Sequence, residues 1–279
     1  MISDAKIWEY IHSDLPLNDL TTSLCEGKER PAKLEIFTRE RIVLSNTATA
    51  IRIAEFLECK DVNTGKDGEI YKAKEPIFNA SGSFENLHKA WKLIQILFEY
   101  SCKISTHTAD MVALCKDASP YCQVQTTRKN FPFAKEFCLN AVISGGGRIH
   151  RANLSDSVLF FANHIKAYKS FENFCEHIAD FKTNLPEKKI MIECENLSEF
   201  QTLLHYKPDV IQCDKFSPSQ LSKAIELKNK TNSSIIVTAA GGINLKNCKE
   251  FAKTGINAVI TSAPYTQGTA DLAGKISFI

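Results

Sequence analysis

KIMIECENLSEFQTLLHYKPDVIQCDKFSPSQLSKAIELKNKTNSSIIVTAAGGINLKNCKEFAKTGINAVITS, residues 189–262, alternates short apolar runs with longer segments of mixed polarity. The runs KIMIEC, DVIQCD, SIIVTA and NAVITS have strand length, and the stretches between most of them have helix length. Apolar strands alternating with helices predict parallel βαβ units, whose sheet is buried on both faces. Outward from this block, CQVQT (122–126) and SVLFF (157–161) extend the rhythm upstream. Six such units favour an α/β barrel over an open sheet, so ligands should meet the C-terminal ends of the strands.

Polar residues collect at those ends. CQVQT runs into Thr126, Thr127, Arg128 and Lys129; IMIEC into Glu195; DVIQC into Asp214; SIIVT into Ala240, Gly241 and Gly242. Between the first two strands lie Gly145, Gly146 and Gly147, followed by His150 and Arg151. Fixed cations beside closely approaching backbone suit a polyanionic small molecule, because guanidinium and backbone N–H groups match phosphate and carboxylate oxygens. Each feature also has a plain structural reading. Arg128 and Lys129 could be a solvated loop pair, and the glycine run a helix C-cap and turn. Glu195 and Asp214 could hold Mg²⁺, accept ribose hydroxyls or stabilise positive charge on a sugar carbon. They could equally cap the following helices, although Asn196 and Ser217 compete for that task. Gly241 and Gly242 precede a helix expected near Asn244, the arrangement of a phosphate site at a helix N-terminus. Lys129 or Lys215 would serve a Schiff-base lyase if desolvated.

The first part of the chain has a mixed rhythm. A short amphipathic helix is predicted around Ala5–His12, strands at AKLEIFTR, RIVLSNTAT and EIYKAKEP, and a long helix from Glu85 with Leu87, Trp91, Ile94 and Phe98 on one face. This reads as a sheet packed on helices. The predicted division is an N-terminal α/β sandwich over 1–107 and an α/β barrel over 108–266, with the tail 267–279 rejoining the first domain.

With 279 residues, the chain can bury one large core or two modest ones. Its 34 basic and 32 acidic side chains nearly cancel, and no long one-signed block stands out, which argues against nucleic-acid and membrane-surface partners. Ten scattered cysteines form no CxxC pair, so zinc-knuckle and thioredoxin-like motifs are excluded. The opening MISDAKIWEY lacks signal-peptide patterning, and no apolar run spans a bilayer; a reduced, cytoplasmic protein is expected.

Taken together, the motifs TTRK, AV..GGG..HR, LSD and NH resemble the quinolinate phosphoribosyltransferases, also called nicotinate-nucleotide pyrophosphorylases (carboxylating). NDLTT at 18–22, IST at 104–106, IECEN, VIQCD and AAGGIN follow in family order, so the likeness covers nearly the whole chain. The resemblance implies phosphoribosyl pyrophosphate and Mg²⁺, and a homodimer whose active sites borrow residues across the interface. It implies cationic binders of acceptor and phosphates at Arg128, Lys129, His150 and Arg151, and an acidic ribose–metal pair at Glu195 and Asp214. It further implies a phosphate loop at Ala240, Gly241 and Gly242 with Ser262, and a helix cation at Lys92. Lys129, Glu195 and Asp214 are the catalytic candidates it marks.

Four positions depart from that pattern. Phe161 and Ala162 stand where the family's pattern has lysine and aspartate, and Thr238 and Ala240 where it has glutamate and serine. Phe161 replaces a contact to a dianionic pyridine with apolar surface. These departures, with LHKAWK and the ending TSAPYTQGTAD, look like the ModD branch, which is associated with molybdenum-transport loci. The expected reaction moves phosphoribose to an anionic or heterocyclic acceptor with release of pyrophosphate. The alternatives are an inactive anion-binding regulator, or a true nicotinate-nucleotide pyrophosphorylase of NAD biosynthesis.

Overall fold

The computed structural model describes residues 2–231 and 234–279. Met1, at the head of the first predicted domain, lies outside the described residues. The strands in chain order are β1 (Pro31–Thr38), β2 (Ile42–Val43), β3 (Lys60–Thr64), β4 (Ile70–Tyr71), β5 (Pro76–Ser83), β6 (Gln123–Thr126), β7 (Arg148–Ile149), β8 (Val158–Phe160), β9 (Ile190–Cys194), β10 (Val210–Asp214), β11 (Ile236–Ala240), β12 (Ala258–Thr261) and β13 (Leu272–Phe278).

The chain divides into two compact units. One comprises the residues up to 109 with 130–146 and 264–279; the other comprises 110–129 and 147–263. Segment 130–146 is therefore separated from the barrel in which the sequence places it. Its helix, Lys135–Ser144, buries Cys138, Ala141 and Val142, while the Asn46 side-chain amide donates to the Phe137 carbonyl at 3.2 Å.

In the first unit a four-stranded antiparallel sheet runs β13-β1-β5-β3. Alternation in β1 buries Ala32, Leu34 and Ile36 against Ile7, Ile11, Ile53, Leu87, Ile94 and Phe98 from the helices. Burying such aliphatic side chains contributes roughly 1.5–3 kcal/mol each. Part of the expected RIVLSNTAT strand is helical: only Ile42–Val43 pair, and Thr47–Phe56 form a helix beginning after Asn46 at φ 63°. The helix predicted from Glu85 runs Phe84–Ala118, 35 residues.

The second unit holds a seven-stranded sheet, β7-β6-β12-β11-β10-β9-β8, whose strands all pair in parallel. The ladder is a barrel left open between β7 and β8, which are not paired among the described residues. One strand face packs on the helices through Val124, Ile192, Cys194, Ile211, Cys213, Val237 and Val259. The other carries Leu159, Met191 and Val210 in one small cluster and Ala240, Ala258 and Ile260 in another. Helices Leu197–Tyr206 and Pro218–Lys230 follow β9 and β10. Asn196 caps the first, and Ser217 caps the second in a reciprocal box with Gln220. All ten cysteines are free, and no described helix is long and apolar enough to cross a membrane.

Candidate active site

The C-terminal ends of the parallel strands border a cavity of about 770 Å³, formed wholly within the second unit. Of the expected site residues it brings together Arg128, Lys129, His150, Arg151, Phe161, Asp214, Ala240, Gly241, Gly242 and Ser262. Glu195 and Lys92 do not line it.

The cationic wall begins where β6 ends. Thr127 N–H donates to the Thr261 carbonyl at 2.9 Å, and Lys129 N–H to Thr127 Oγ1 at 3.1 Å, which fixes the backbone carrying Arg128 and Lys129. After β7, His150 N–H donates to the Thr126 carbonyl at 3.1 Å and so continues the ladder. Arg151 is 6% exposed, and its Nη1 donates a long hydrogen bond of 3.4 Å to the Ser157 carbonyl. Burial and the nearby Arg128 push the Arg151 pKa down, against the pull of Asp156. Burial first, and then the Arg151 charge, hold His150 down at about 4, so its ring is neutral at physiological pH.

The acidic wall differs from expectation. Glu193, Gln212 and Thr238 are register partners across β9, β10 and β11. Gln212 Nε2 donates to Glu193 Oε2 at 2.7 Å, whereas Gln212 Oε1 and Thr238 Oγ1 are buried without a partner among the described residues. Glu193 and Asp214 both line the cavity. The Glu193 pKa is raised, chiefly by burial, with Asp214 and Glu195 adding to the rise. Glu195, the predicted neighbour of Asp214, is exposed beyond the last residue of β9. Its N–H donates to Glu199 Oε2 at 2.8 Å, and Asn196 caps the next helix, so the chain turns there. Both missed residues, Glu193 and Gln212, share the strand-face parity of Asp214 and Thr238, which is the sequence signal that finds them.

Facing these walls is the loop after β11. Gly241 and Gly242 have φ of 92° and 71°. A Cβ on Gly241 would lie 2.7–3.0 Å from Lys215 and Asp214 Oδ1, while one on Gly242 would meet nothing within 4 Å. Asn244 and Asn247 side-chain amides donate to the Gly242 carbonyl at 3.2 and 3.1 Å, and Thr261 Oγ1 donates to the Ile243 carbonyl at 2.6 Å. The helix expected near Asn244 begins only at Cys248 and spans five residues. An anion here would therefore meet a positive-φ backbone loop rather than a helix end. Asp214 is left uncommitted to capping by Ser217 and has Lys215 Nζ 3.7 Å from its Oδ2.

Gly145–Gly147 do not line the cavity. Gly145 is the C-cap of helix Lys135–Ser144, Gly146 follows at φ 77°, and a Cβ on Gly145 would overlap the Ser105 carbonyl. The turn reading of these glycines holds. Lys92 belongs to the first unit, exposed, with Nζ 4.4 Å from the Trp91 ring centroid. No group of three or more His, Cys, Asp or Glu among the described residues could hold a metal alone. Two carboxylates, Glu193 and Asp214, do fit Mg²⁺, which commonly takes one or two carboxylates and fills its other positions with water and substrate phosphates.

A parallel α/β half-barrel, preceded by a sheet-and-helix unit and bearing cations, two carboxylates and a diglycine loop around one cavity, defines an enzyme-like anion-binding class. The model of the quinolinate phosphoribosyl transferase C-terminal domain matches residues 104–273, and that of its N-terminal domain residues 19–102. The chain belongs to the quinolinate phosphoribosyl transferase family. It is 34% identical over 270 residues to a ModD protein of Pasteurella multocida strain Pm70, provisionally named a pyrophosphorylase, covering 97% of this chain and 96% of the relative. It is 31% identical over 271 residues to the ModD protein of Escherichia coli O6:H1, with the same provisional name, covering 97% and 95%. The nicotinate-nucleotide pyrophosphorylase structure from Ehrlichia chaffeensis shares the fold at TM-score 0.89 and 24% identity, covering 99% of each chain. That from Francisella tularensis does so at TM-score 0.89 and 22% identity, covering 98% and 95%.

Proposed function

We propose that this chain is a phosphoribosyltransferase of the ModD type, moving phosphoribose from phosphoribosyl pyrophosphate to a small anionic or heterocyclic acceptor and releasing pyrophosphate. One observation carries the reading: Arg128, Lys129 and Arg151, the carboxylates of Glu193 and Asp214, and the Gly241–Gly242 loop all border one cavity of about 770 Å³. Their chemistry matches the parts of that donor. Arg128 and Lys129 bind its charged oxygens and Arg151 orients the acceptor, while the diglycine loop and Ser262 receive the sugar phosphate. Asp214 and Glu193 stabilise the positive charge that develops on the ribose carbon as its bond to pyrophosphate loosens, and the Gln212 amide holds Glu193 in place. Mg²⁺, when bound, would neutralise charge on the departing pyrophosphate, with Glu193 and Asp214 as its protein donors. The rest is positioning, and no covalent enzyme intermediate is required.

The reading includes a homodimer with shared active sites, in which Lys92 of one copy serves the other's cavity. It also includes a cytoplasmic setting, which suits ten free cysteines, and a cellular link to molybdenum transport by likeness to the ModD proteins. Neither nucleic acid nor membrane has a part in it. The test pairs calorimetric titration of phosphoribosyl pyrophosphate with a screen for pyrophosphate release over pyridine, pyrimidine and purine acceptors. Lys129→Ala and Asp214→Ala should each lower turnover by about 10²–10³-fold with the thermal transition unchanged. Tight binding without turnover across the screen would make the chain an anion-binding regulator instead. Unchanged turnover in both variants would remove the site assignment.

A further inference from the structure

Resting on that reading, we propose that the acceptor is a planar aromatic molecule carrying a single negative charge, with its ring against Phe161 and its anionic group on Arg151. Phe161 lines the cavity immediately after β8, at the same strand-face parity as the buried Leu159. Its ring is not a loose side chain. It stacks on His164 at 5.2 Å between centroids and 24° between planes, and His164 Nδ1 accepts the Phe161 N–H at 3.0 Å. The Arg151 guanidinium carbon lies 6.0 Å from the same ring centroid. A flat apolar wall is thus fixed beside a buried cation whose planar donors are nearly unused. That pairing matches a carboxylate-like group attached to a flat ring: the ring takes the stacking face, and the anion takes the fork.

The charge balance limits the acceptor to one such group. His150, adjacent in the chain, is held neutral and adds no second cation. Lys215 is engaged by Asp214, its Nζ 3.7 Å from that carboxylate. Arg128 and Lys129 are needed for the phosphate oxygens of the donor. Beside Phe161 the cavity offers Leu159 and Asn163, whose Oδ1 already accepts from Lys166 Nζ at 2.9 Å, while Lys166 itself does not line the cavity. A second carboxylate on the ring would leave water to face apolar carbon and a neutral amide, which is costly without a cation.

The test uses matched probes differing by one carboxylate, nicotinate against quinolinate and benzoate against phthalate, titrated calorimetrically into the full chain. The monoanion of each pair should bind at least about tenfold tighter, and Phe161→Lys should reverse the order. Phe161→Leu keeps apolar volume but removes the aromatic face. It should weaken the monoanions by about tenfold without favouring the dianions, and it provides the readout if the lysine variant does not fold. Dianions binding as well as monoanions, an unchanged ratio in both variants, or no binding of any probe up to about 10 mM would overturn the proposal. Phosphoribosyl pyrophosphate titrated in parallel separates the two ideas. Failure of that donor to bind sinks the transferase reading, whereas donor binding with dianion preference sinks only the acceptor assignment.

Discussion

At Glu193 stability and function pull in opposite directions. Burial and two neighbouring carboxylates raise its pKa, so the folded state holds its proton more tightly than the unfolded chain does. Stability is therefore lost as pH rises through its ordinary value toward the raised one, so this group weakens the free fold above that window. Glu193→Gln removes that repulsion and can keep a polar contact to Gln212. It should melt no lower than the natural protein at pH 7, while pyrophosphate release falls by about 10²-fold. A clearly lower transition together with full activity would show that the carboxylate is structural. His150 has the opposite linkage. Its folded value of about 4 lies below its ordinary 6.5, so the unfolded chain binds the extra proton first as pH falls. The stability it contributes is complete above pH 6.5 and drains away toward pH 4, by up to roughly 3 kcal/mol. Urea denaturation at pH 7 and pH 4.5 should show a smaller acid loss for His150→Gln than for the natural protein; equal losses would contradict the buried neutral ring.

Among the elements, the loop after β11 combines backbone strain with an open face. Both glycines have left-handed φ, but only Gly241 is packed, against Lys215 and Asp214. Gly241→Ala should cost about 1–3 kcal/mol in chemical denaturation and displace Asp214. Gly242→Ala pays only the backbone term, about 1 kcal/mol, and its methyl enters open space, so it should chiefly raise the KM for the phosphoribosyl donor. Equal effects of the two on KM and stability would refute this division. The βαβ rhythm makes the barrel strands legible because β9 and β12 are apolar runs with a single polar residue each. Strand β7 is not, since two residues carry no periodicity. The start of helix Thr47–Phe56 falls within the run RIVLSNTAT, which reads as strand because Ile, Val and Thr dominate it, and tertiary burial of Ala50, Ile53 and Ala54 outweighs that local preference. The cationic wall could be read from TTRK and HR, whereas Glu193 was obscured by Glu195, two residues on and of equal parity. What separates them is where the ladder stops and the Asn196 cap begins, a boundary that sequence locates poorly.

On the scale of the whole molecule, the first unit is completed only by the last residues of the chain. β13 pairs with β1 along its length, Arg30 lies 3.9 Å from the Phe278 ring centroid, and a Cβ on Gly274 would overlap Trp91. That same unit displays Lys92 on the surface, resting on the Trp91 indole with no carboxylate partner among the described residues, and Lys92 does not line the cavity of the second unit. A cation held on an aromatic face and left unneutralised is available to an anion brought by another copy. The proposed shared-site dimer turns this placement into a complementation experiment. Lys92→Ala and Asp214→Ala should each be nearly inactive as homodimers. Co-expressed, they form mixed dimers in which one of the two cavities takes Lys92 from the Asp214→Ala copy and Asp214 from the Lys92→Ala copy. Random pairing makes half of the dimers mixed, each with one intact site, so activity should recover to about a quarter of the natural level. Sedimentation of the mixture supplies the control. Dimers that form without any recovery would place Lys92 in its own copy's site or outside the reaction, and a monomer in solution would remove sharing altogether.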